Sequence, residues 1–347
     1  MEHIDGPAVR QRLPVVGAID ALEAAITDGG IPAGPPRMHL HDDDQQLLVM
    51  PSMVDGWAGV KLITIDPANP GRGLPLIHGV YTLFGPPGME PVALIEGAAL
   101  TEVRTAAVSG LATRHLARPD ASKLIVFGAG AQGRAHLLAM AAVRDLTEVR
   151  IVAPRRESVD AFIAYAADHL DVPVIPGTAD DVADADLICT CTSSATPVFD
   201  GTLVPPGAHV NAIGAYRPDM HEIDAHLVAA SRVLVETREA AMTENGDLIL
   251  AEESGTWDRD RIVADLGELL HDGVSVRTAE DQRTLFASVG MAFEDLIVAR
   301  AVVEGRASTP PTPFPPSTPS TPPTPSTPPT PPTPSTPPTT QQPRSNP

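Results

Sequence analysis

The chain has 347 residues, 43% of them hydrophobic, and a formal net charge of −20. It can therefore bury a sizeable core in one or two domains, and its acidity disfavours nucleic acid and anionic membrane surfaces as partners. No run approaches the length of a membrane span, and the opening MEHIDGPAVRQRLPVVGAID lacks a basic start followed by an apolar core, so a cytoplasmic location is expected.

In chain order, GAIDALEAAITDG reads as a short amphipathic helix. The runs PRMHLH, QLLVMPSMV, WAGVKLITID, LPLIHGVYTLF and PVALIEG follow, separated by turn residues, as the strands of an antiparallel sheet. TEVRTAAVSGLATRHLA is helical and rich in small residues. From Lys123 to about Arg277 the pattern alternates, with strands KLIVFG, EVRIVAP, VPVIPG, DLICTCTS, HVNAIG and RVLVET and helical segments between most of them. This predicts an α/β fold with a Rossmann-type, doubly wound parallel sheet. The two cysteines, Cys189 and Cys191, sit two apart in DLICTCTSS. On a strand both face one side as small core residues, and no metal site is expected. EDQRTLFASVGMAFEDLIVARAVVEG reads as one long helical pattern returning to the first domain. The expected division is residues 1–120 with 285–306 as a discontinuous α+β substrate and dimerisation domain, 121–284 as the dinucleotide domain, and 307–347 as a Pro/Thr/Ser-rich tail that cannot build a core and stays disordered.

The stretch LIVFGAGAQGRAH places Gly128, Gly130 and Gly133 in a G-x-G-x-x-G pattern that follows a strand and opens a helix. The first glycine permits the tight turn, the second lets a pyrophosphate approach the backbone, and the third allows helix to pack on strand. NAD-binding sheets place an acid at the end of the next strand. Here Ala153-Pro154-Arg155-Arg156 stands there instead. Two guanidiniums suit a 2′-phosphate, so NADP(H) is the preferred cofactor and NAD(H) a possible one; Glu157 is an alternative ribose contact, and both arginines have a solvated-loop reading.

Three cations in the first domain stand out. Lys61 lies among apolar residues in WAGVKLITI. Arg104 lies among small residues that let a cofactor come close. Arg37 opens a strand in GPPRMHL. Converging, they would grip a carboxylate; taken singly, each has the alternative of a surface charge or salt bridge.

GVKL, TEVRTAAVSGLAT, GAGAQG, HVNAIGAYRPDMHEID and FASVGMAFEDL occur in the order of the ornithine cyclodeaminase/μ-crystallin family, which the chain resembles over residues 1–306. The resemblance implies a homodimer formed through the first domain and an active site between the two domains. It implies that Arg37, Lys61 and Arg104 bind the substrate carboxylate or polarise its nitrogen-bearing carbon. It also implies that Ala131 and Gln132 with the glycine turn, Thr192 and Ser288 serve the cofactor, and that Val289 borders the substrate. Cyclodeaminases carry an aspartate where Tyr216 stands here, and a threonine where Leu76 stands. The Tyr216 departure points toward the imine reductases and alanine dehydrogenases of the family, and both departures speak against ornithine cyclisation. The implied reaction is hydride transfer between the nicotinamide and the α-carbon of a small amino or imino acid. Lys61, Tyr216 and Asp219 are the candidates for handling the proton, and Tyr216 is equally readable as a pocket wall. The alternatives are cyclisation of ornithine to proline with loss of ammonia, and a catalytically silent ligand-binding member.

Overall fold

The computed structural model describes residues 1–305; the tail expected at 307–347 lies outside the described residues. Two sheets organise the described chain. The first has the strands β1 (Glu2–Ile4), β2 (Met38–Asp42), β3 (Gln45–Val54), β4 (Trp57–Ile65), β5 (Ile77–Gly85) and β6 (Glu90–Glu96) in the order β1-β6-β5-β4-β3-β2. The strands β2 to β6 form the expected antiparallel meander; β1, not foreseen from the sequence, joins β6 in parallel. Between β3 and β4 the two-residue loop Asp55-Gly56 has both φ values positive, 50° and 76°, which suits a tight hairpin. Along β4, Gly59, Lys61, Ile63 and Ile65 are buried on one face and Leu62 and Thr64 exposed on the other, the period-2 pattern of a half-covered sheet.

The second sheet has eight strands: β7 (Lys123–Phe127), β8 (Glu148–Val152), β9 (Val174–Pro176), β10 (Leu187–Thr190), β11 (His209–Ala212), β12 (Ser231–Val235), β13 (Ile262–Asp265) and β14 (Arg283–Ala287). All its pairings are parallel, in the order β13-β12-β14-β11-β10-β7-β8-β9. The strand order reverses between β7 and β10, so the ligand crevice of such a sheet opens above the carboxyl ends of these two strands.

Ten α-helices of the described residues complete the fold: α1 (Gly6–Arg12), α2 (Val15–Gly29), α3 (Gly97–Leu116), α4 (Ala131–Val143), α5 (Arg156–Ala167), α6 (Ala225–Ala230), α7 (Arg238–Glu244), α8 (Gly246–Glu253), α9 (Leu266–Leu270) and α10 (Ala292–Glu304). The Glu96 carboxylate caps α3 by accepting from the amides of Ala98 at 3.0 Å and Ala99 at 2.6 Å. Its small side chains let α3 pack tightly against α2, α4 and β5. Gly110 is one such contact, since a Cβ there would stand 2.6 Å from Ile19 of α2. A helix buried on nearly every side cannot show the one-sided pattern of a surface helix, and it carries Arg104 into the interior.

The run from Glu280 to Gly305 is not one helix. Arg283–Ala287 is strand β14, seated between β11 and β12, and helix begins only at Ala292. Thr284, Leu285, Phe286 and Ala287 are all fully buried. An apolar run covered on both faces carries no strand alternation, so periodicity does not separate it from a buried helix. The boundary expected at 284/285 falls inside this strand. Cys189 ends up buried within β10, whereas Cys191 follows the strand. Burial pushes the Cys189 thiol up to about 12 and the Cys191 thiol well above its ordinary value, which disfavours the thiolate at both positions.

Candidate active site

The glycine turn has the geometry that its spacing predicts. Gly128 adopts φ +102°, and a Cβ on Gly133 would run into the Gly128 carbonyl oxygen, which is how the start of α4 packs onto the turn. A Cβ on Gly130 would meet nothing within 4 Å, so that glycine faces open space where a phosphate can approach. Ala131 is the first, exposed residue of α4, at the helix N-terminus whose free amides favour an anion. Gly128 and Gly130 border a groove of about 500 Å³ lined also by Arg155, Ser158, Thr192 and Ser194. Of the two arginines, only Arg155 lines the groove. Arg156 opens α5 with a side chain 71% exposed and pairs with Asp160 one turn later at 2.9 Å, so its expected cofactor role is corrected to a surface ion pair. The helix geometry turns consecutive residues to different faces.

A second cavity, of about 200 Å³, shares Cys191 and Thr192 with the first. It collects Arg37, Lys61, Arg104, Gln132, Thr192, Tyr216, Ser288 and Val289, residues drawn from across the chain. Apolar residues complete the lining: Leu48 and Met50 of β3, Ile63 and Ile65 of β4, and Ile77 of β5. Asp219 is absent from this lining. Its side chain is 71% exposed and held by Arg217 at 3.0 Å, because the turn after Tyr216 runs outward. The expected proton role of Asp219 is therefore withdrawn. Leu76 is also exposed, and Ile77 is the residue that meets the cavity.

The cations are set in place by buried acids that the sequence reading did not assign. Lys61 is wholly buried on the inner face of β4, between Met50 and Tyr81 of the neighbouring strands. Its Nζ donates to Asp295 Oδ1 at 2.8 Å and lies 2.7 Å from Oδ2. Burial lowers the Lys61 ammonium to about 8; Asp295 opposes that shift, while Arg104 and Arg37 reinforce it. Arg104 donates from Nη1 to Glu294 Oε2 at 2.9 Å, and its Nε is 3.3 Å from Asp295 Oδ1. Burial works against the Arg104 charge, but Asp295, Glu294 and Glu236 outweigh it and hold the guanidinium protonated. The buried Nε makes no well-aligned hydrogen bond, nor does the buried Oε1 of Gln132. Such unsatisfied groups fit a polar ligand at this point. Burial, with Glu236 close by, raises Glu294 to about 8 against the pull of Arg104.

Arg37 immediately precedes β2 and reaches across to the loop after β14. Its Nη2 donates to the carbonyls of Val289 at 2.7 Å and Gly290 at 2.8 Å and pairs with Glu244 at 2.9 Å. Glu236, at the end of β12, holds the same loop from beneath. It accepts from Ser288 Oγ at 2.6 Å and from the amides of Val289 and Gly290 at 2.8 Å each. One available signal for Glu294 and Asp295 was local: two adjacent acids in the apolar run AFEDLIVARAV are tolerated inside a core only beside polar or charged partners.

The model of the ornithine cyclodeaminase/mu-crystallin family matches residues 7–309. A Delta(1)-pyrroline-2-carboxylate reductase of Bacillus cereus is 37% identical over 268 residues, covering 76% of this chain and 82% of its own. The solved structure of the Thermococcus litoralis Delta(1)-pyrroline-2-carboxylate reductase in complex with NADH and L-proline superposes with a TM-score of 0.83 at 27% identity, covering 88% of this chain and 97% of the other. An archaeal alanine dehydrogenase dimer with bound NAD superposes with a TM-score of 0.81 at 28% identity, covering 88% and 95%. With a family match across nearly all the described residues, and with the glycine turn and the buried cations in one crevice, the chain belongs to the ornithine cyclodeaminase/mu-crystallin family.

Proposed function

We propose that this protein is an NAD(P)H-dependent reductase of a small cyclic α-imino acid with an apolar ring. The observation that carries the reading is the cavity lining, which combines three buried or largely buried cations with the apolar side chains of Leu48, Met50, Ile63, Ile65 and Ile77. Gly128, Gly130, Ala131, Gln132, Arg155, Thr192 and Ser288 are the residues to hold the dinucleotide, and when bound its reduced nicotinamide supplies the hydride. Arg37 and Arg104 fix the substrate carboxylate. Lys61 gives a proton from Nζ to the substrate nitrogen as the α-carbon gains hydride, and Asp295 retains the resulting amine by hydrogen bonding. Tyr216 closes the cavity beside the substrate. No acidic side chain is among the described residues lining the cavity, so the second ammonium of a diamino acid finds no carboxylate there. This favours imine reduction over ornithine cyclisation.

Cofactor choice follows from Arg155, whose guanidinium in the groove favours the 2′-phosphate of NADPH. Both readings meet one experiment: absorbance of the reduced cofactor with cyclic imino acids, simple keto acids plus ammonia, and ornithine, each with NADPH and NADH. The expected result is steady oxidation with the cyclic imino acids, faster with NADPH. Arg155→Ala is expected to erase that preference, and Arg156→Ala to leave it. Ornithine turnover without net cofactor change would replace the reductase reading, and a parent preference for NADH would overturn the choice of NADPH.

We also propose that residues 1–120 with α10 act as the substrate and dimerisation domain. The outer face of the first sheet exposes Met38 (52%), Leu40 (56%), Met53 (69%) and Leu62 (36%), a run of apolar side chains that needs cover in solution. A second copy supplies it. Leu62→Asp is expected to shift the sedimentation coefficient from dimer to monomer; a parent that sediments as a monomer would refute the assignment.

A further inference from the structure

Glu222 lies between β11 and α6, wholly buried, and no step above uses it. One carboxylate oxygen accepts the Thr192 amide at 2.6 Å, and the other accepts the Gly214 amide at 2.6 Å. Thr192 is in the loop leaving β10, and Gly214 is in the loop leaving β11. Both residues line the small cavity, and Thr192 also lines the dinucleotide groove. Strand ladders end at Thr190 and Ala212, so these amides depend on a partner outside the β10–β11 pairing.

The approach is close from both sides. A Cβ on Gly214 would fall inside the Thr192 carbonyl oxygen and stand 2.7 Å from the Glu222 carboxylate, so the glycine is what lets the two loops touch. Glu222 is itself fixed through its backbone. Asp247 Oδ1 accepts the amides of Glu222 at 2.7 Å and Ile223 at 3.1 Å, and the Glu222 carbonyl accepts the Val198 amide at 2.8 Å. This arrangement joins the loops after β10 and β11, on the β10 side of the crevice where the strand order reverses.

We propose that Glu222 is a positioning residue for hydride transfer: its carboxylate staples the loops after β10 and β11, setting Thr192 on the dinucleotide side against Gly214 and Tyr216 on the substrate side. The inference rests on the reductase reading above. The chemistry requires a carboxylate. Two converging amides need two acceptors, and a glutamine in the same place offers one oxygen and turns an N–H donor toward the other amide. Releasing one loop lets the reacting groups separate, and a misplacement of about 1 Å costs about 10²-fold in rate.

The test compares the full-length parent with Glu222→Gln, using binding of NADPH and NADH by fluorescence and turnover with reduced cofactor deuterated at the transferred position. The expected result is a reduced-cofactor Kd raised about tenfold, a kcat lowered ten- to hundredfold, and a larger deuterium isotope effect on kcat, as hydride transfer becomes the slow step. A variant that is only partly folded loses active sites without changing the isotope effect of those that remain, so an unchanged isotope effect and Kd overturn the proposal. If Glu222→Gln is insoluble, Glu222→Asp takes its place, because it keeps the charge but is one methylene too short to reach both amides. A parent that binds neither reduced dinucleotide overturns the reductase reading and the staple together; a parent that turns over while the variant matches it overturns the staple alone.

Discussion

Lys61→Met is expected to lower kcat/KM for the imino acid at pH 7 by about 10²-fold or more, the scale of a lost general acid. With its ammonium lowered to about 8 by burial, Lys61 is protonated at neutral pH and gives up its proton more readily than a lysine in water. As pH rises through about 8 that proton is lost, so kcat/KM of the parent is expected to fall there, and the Lys61→Met profile to lack this limb. Stability follows the opposite direction. Below about pH 8 the folded and unfolded chains both carry the proton, and the folded state bears the cost of a buried charge. Between about 8 and the ordinary lysine value of about 10.4 the folded state releases its proton first, so the contribution of Lys61 to stability rises with pH. Removing Lys61 also deprives Asp295 of its closest cation, and breaking a buried pair in this way costs about 3–5 kcal/mol. Adding Asp295→Asn is expected to restore the melting temperature but not the activity, which separates the two roles in one series. Tyr216→Phe supplies the comparison. If the phenylalanine variant loses the alkaline limb and Lys61→Met keeps it, the proton belongs to Tyr216.

Gly290→Ala is expected to be nearly as damaging to catalysis, although it touches no reacting atom. Gly290 sits at φ +80°, and a Cβ there would fall inside the Arg104 guanidinium. The left-handed backbone alone costs an alanine about 1–2 kcal/mol. The larger effect is on Arg104, which has to leave its place between Glu294 and Asp295 and with it the carboxylate contact proposed above. The loop cannot retreat, because Glu236 holds its amides and Arg37 its carbonyls. A fall in kcat/KM of about 10²-fold is expected, expressed mainly as a higher KM for the imino acid, with reduced-dinucleotide affinity little changed. Gly255→Ala is the control, since Gly255 also has positive φ (72°) but a Cβ there meets nothing within 4 Å; it is expected to lower stability and leave catalysis intact. A Gly290→Ala enzyme within threefold of the parent in kcat/KM would remove the loop from the account of the site.

Features set by neighbours along the chain were legible in the sequence alone. The glycine turn is a strand, a bend and a helix start within a few residues, so spacing reveals which glycine bends, which one stays open and which one packs. The meander of the first sheet and most strands of the second were readable because turn residues separate them. The runner-up positions show where that reading stops. Arg155 and Arg156 are equivalent on paper, and only the start of α5 turns one into the groove and the other toward Asp160. Asp219 is three residues from Tyr216, and only the course of the turn puts it outside. Strand β14 has no alternation because both its faces are covered, a fact that belongs to the sheet and not to the segment. Local pattern could single out Glu294 and Asp295 as acids in an apolar run, but not which cations they meet. Asp295 meets Lys61 across 234 residues, and Val289 meets Arg37 across 252. A buried charge is tolerated only where its partner arrives, and that arrival is decided by how α10 and the loop before it pack against the first sheet.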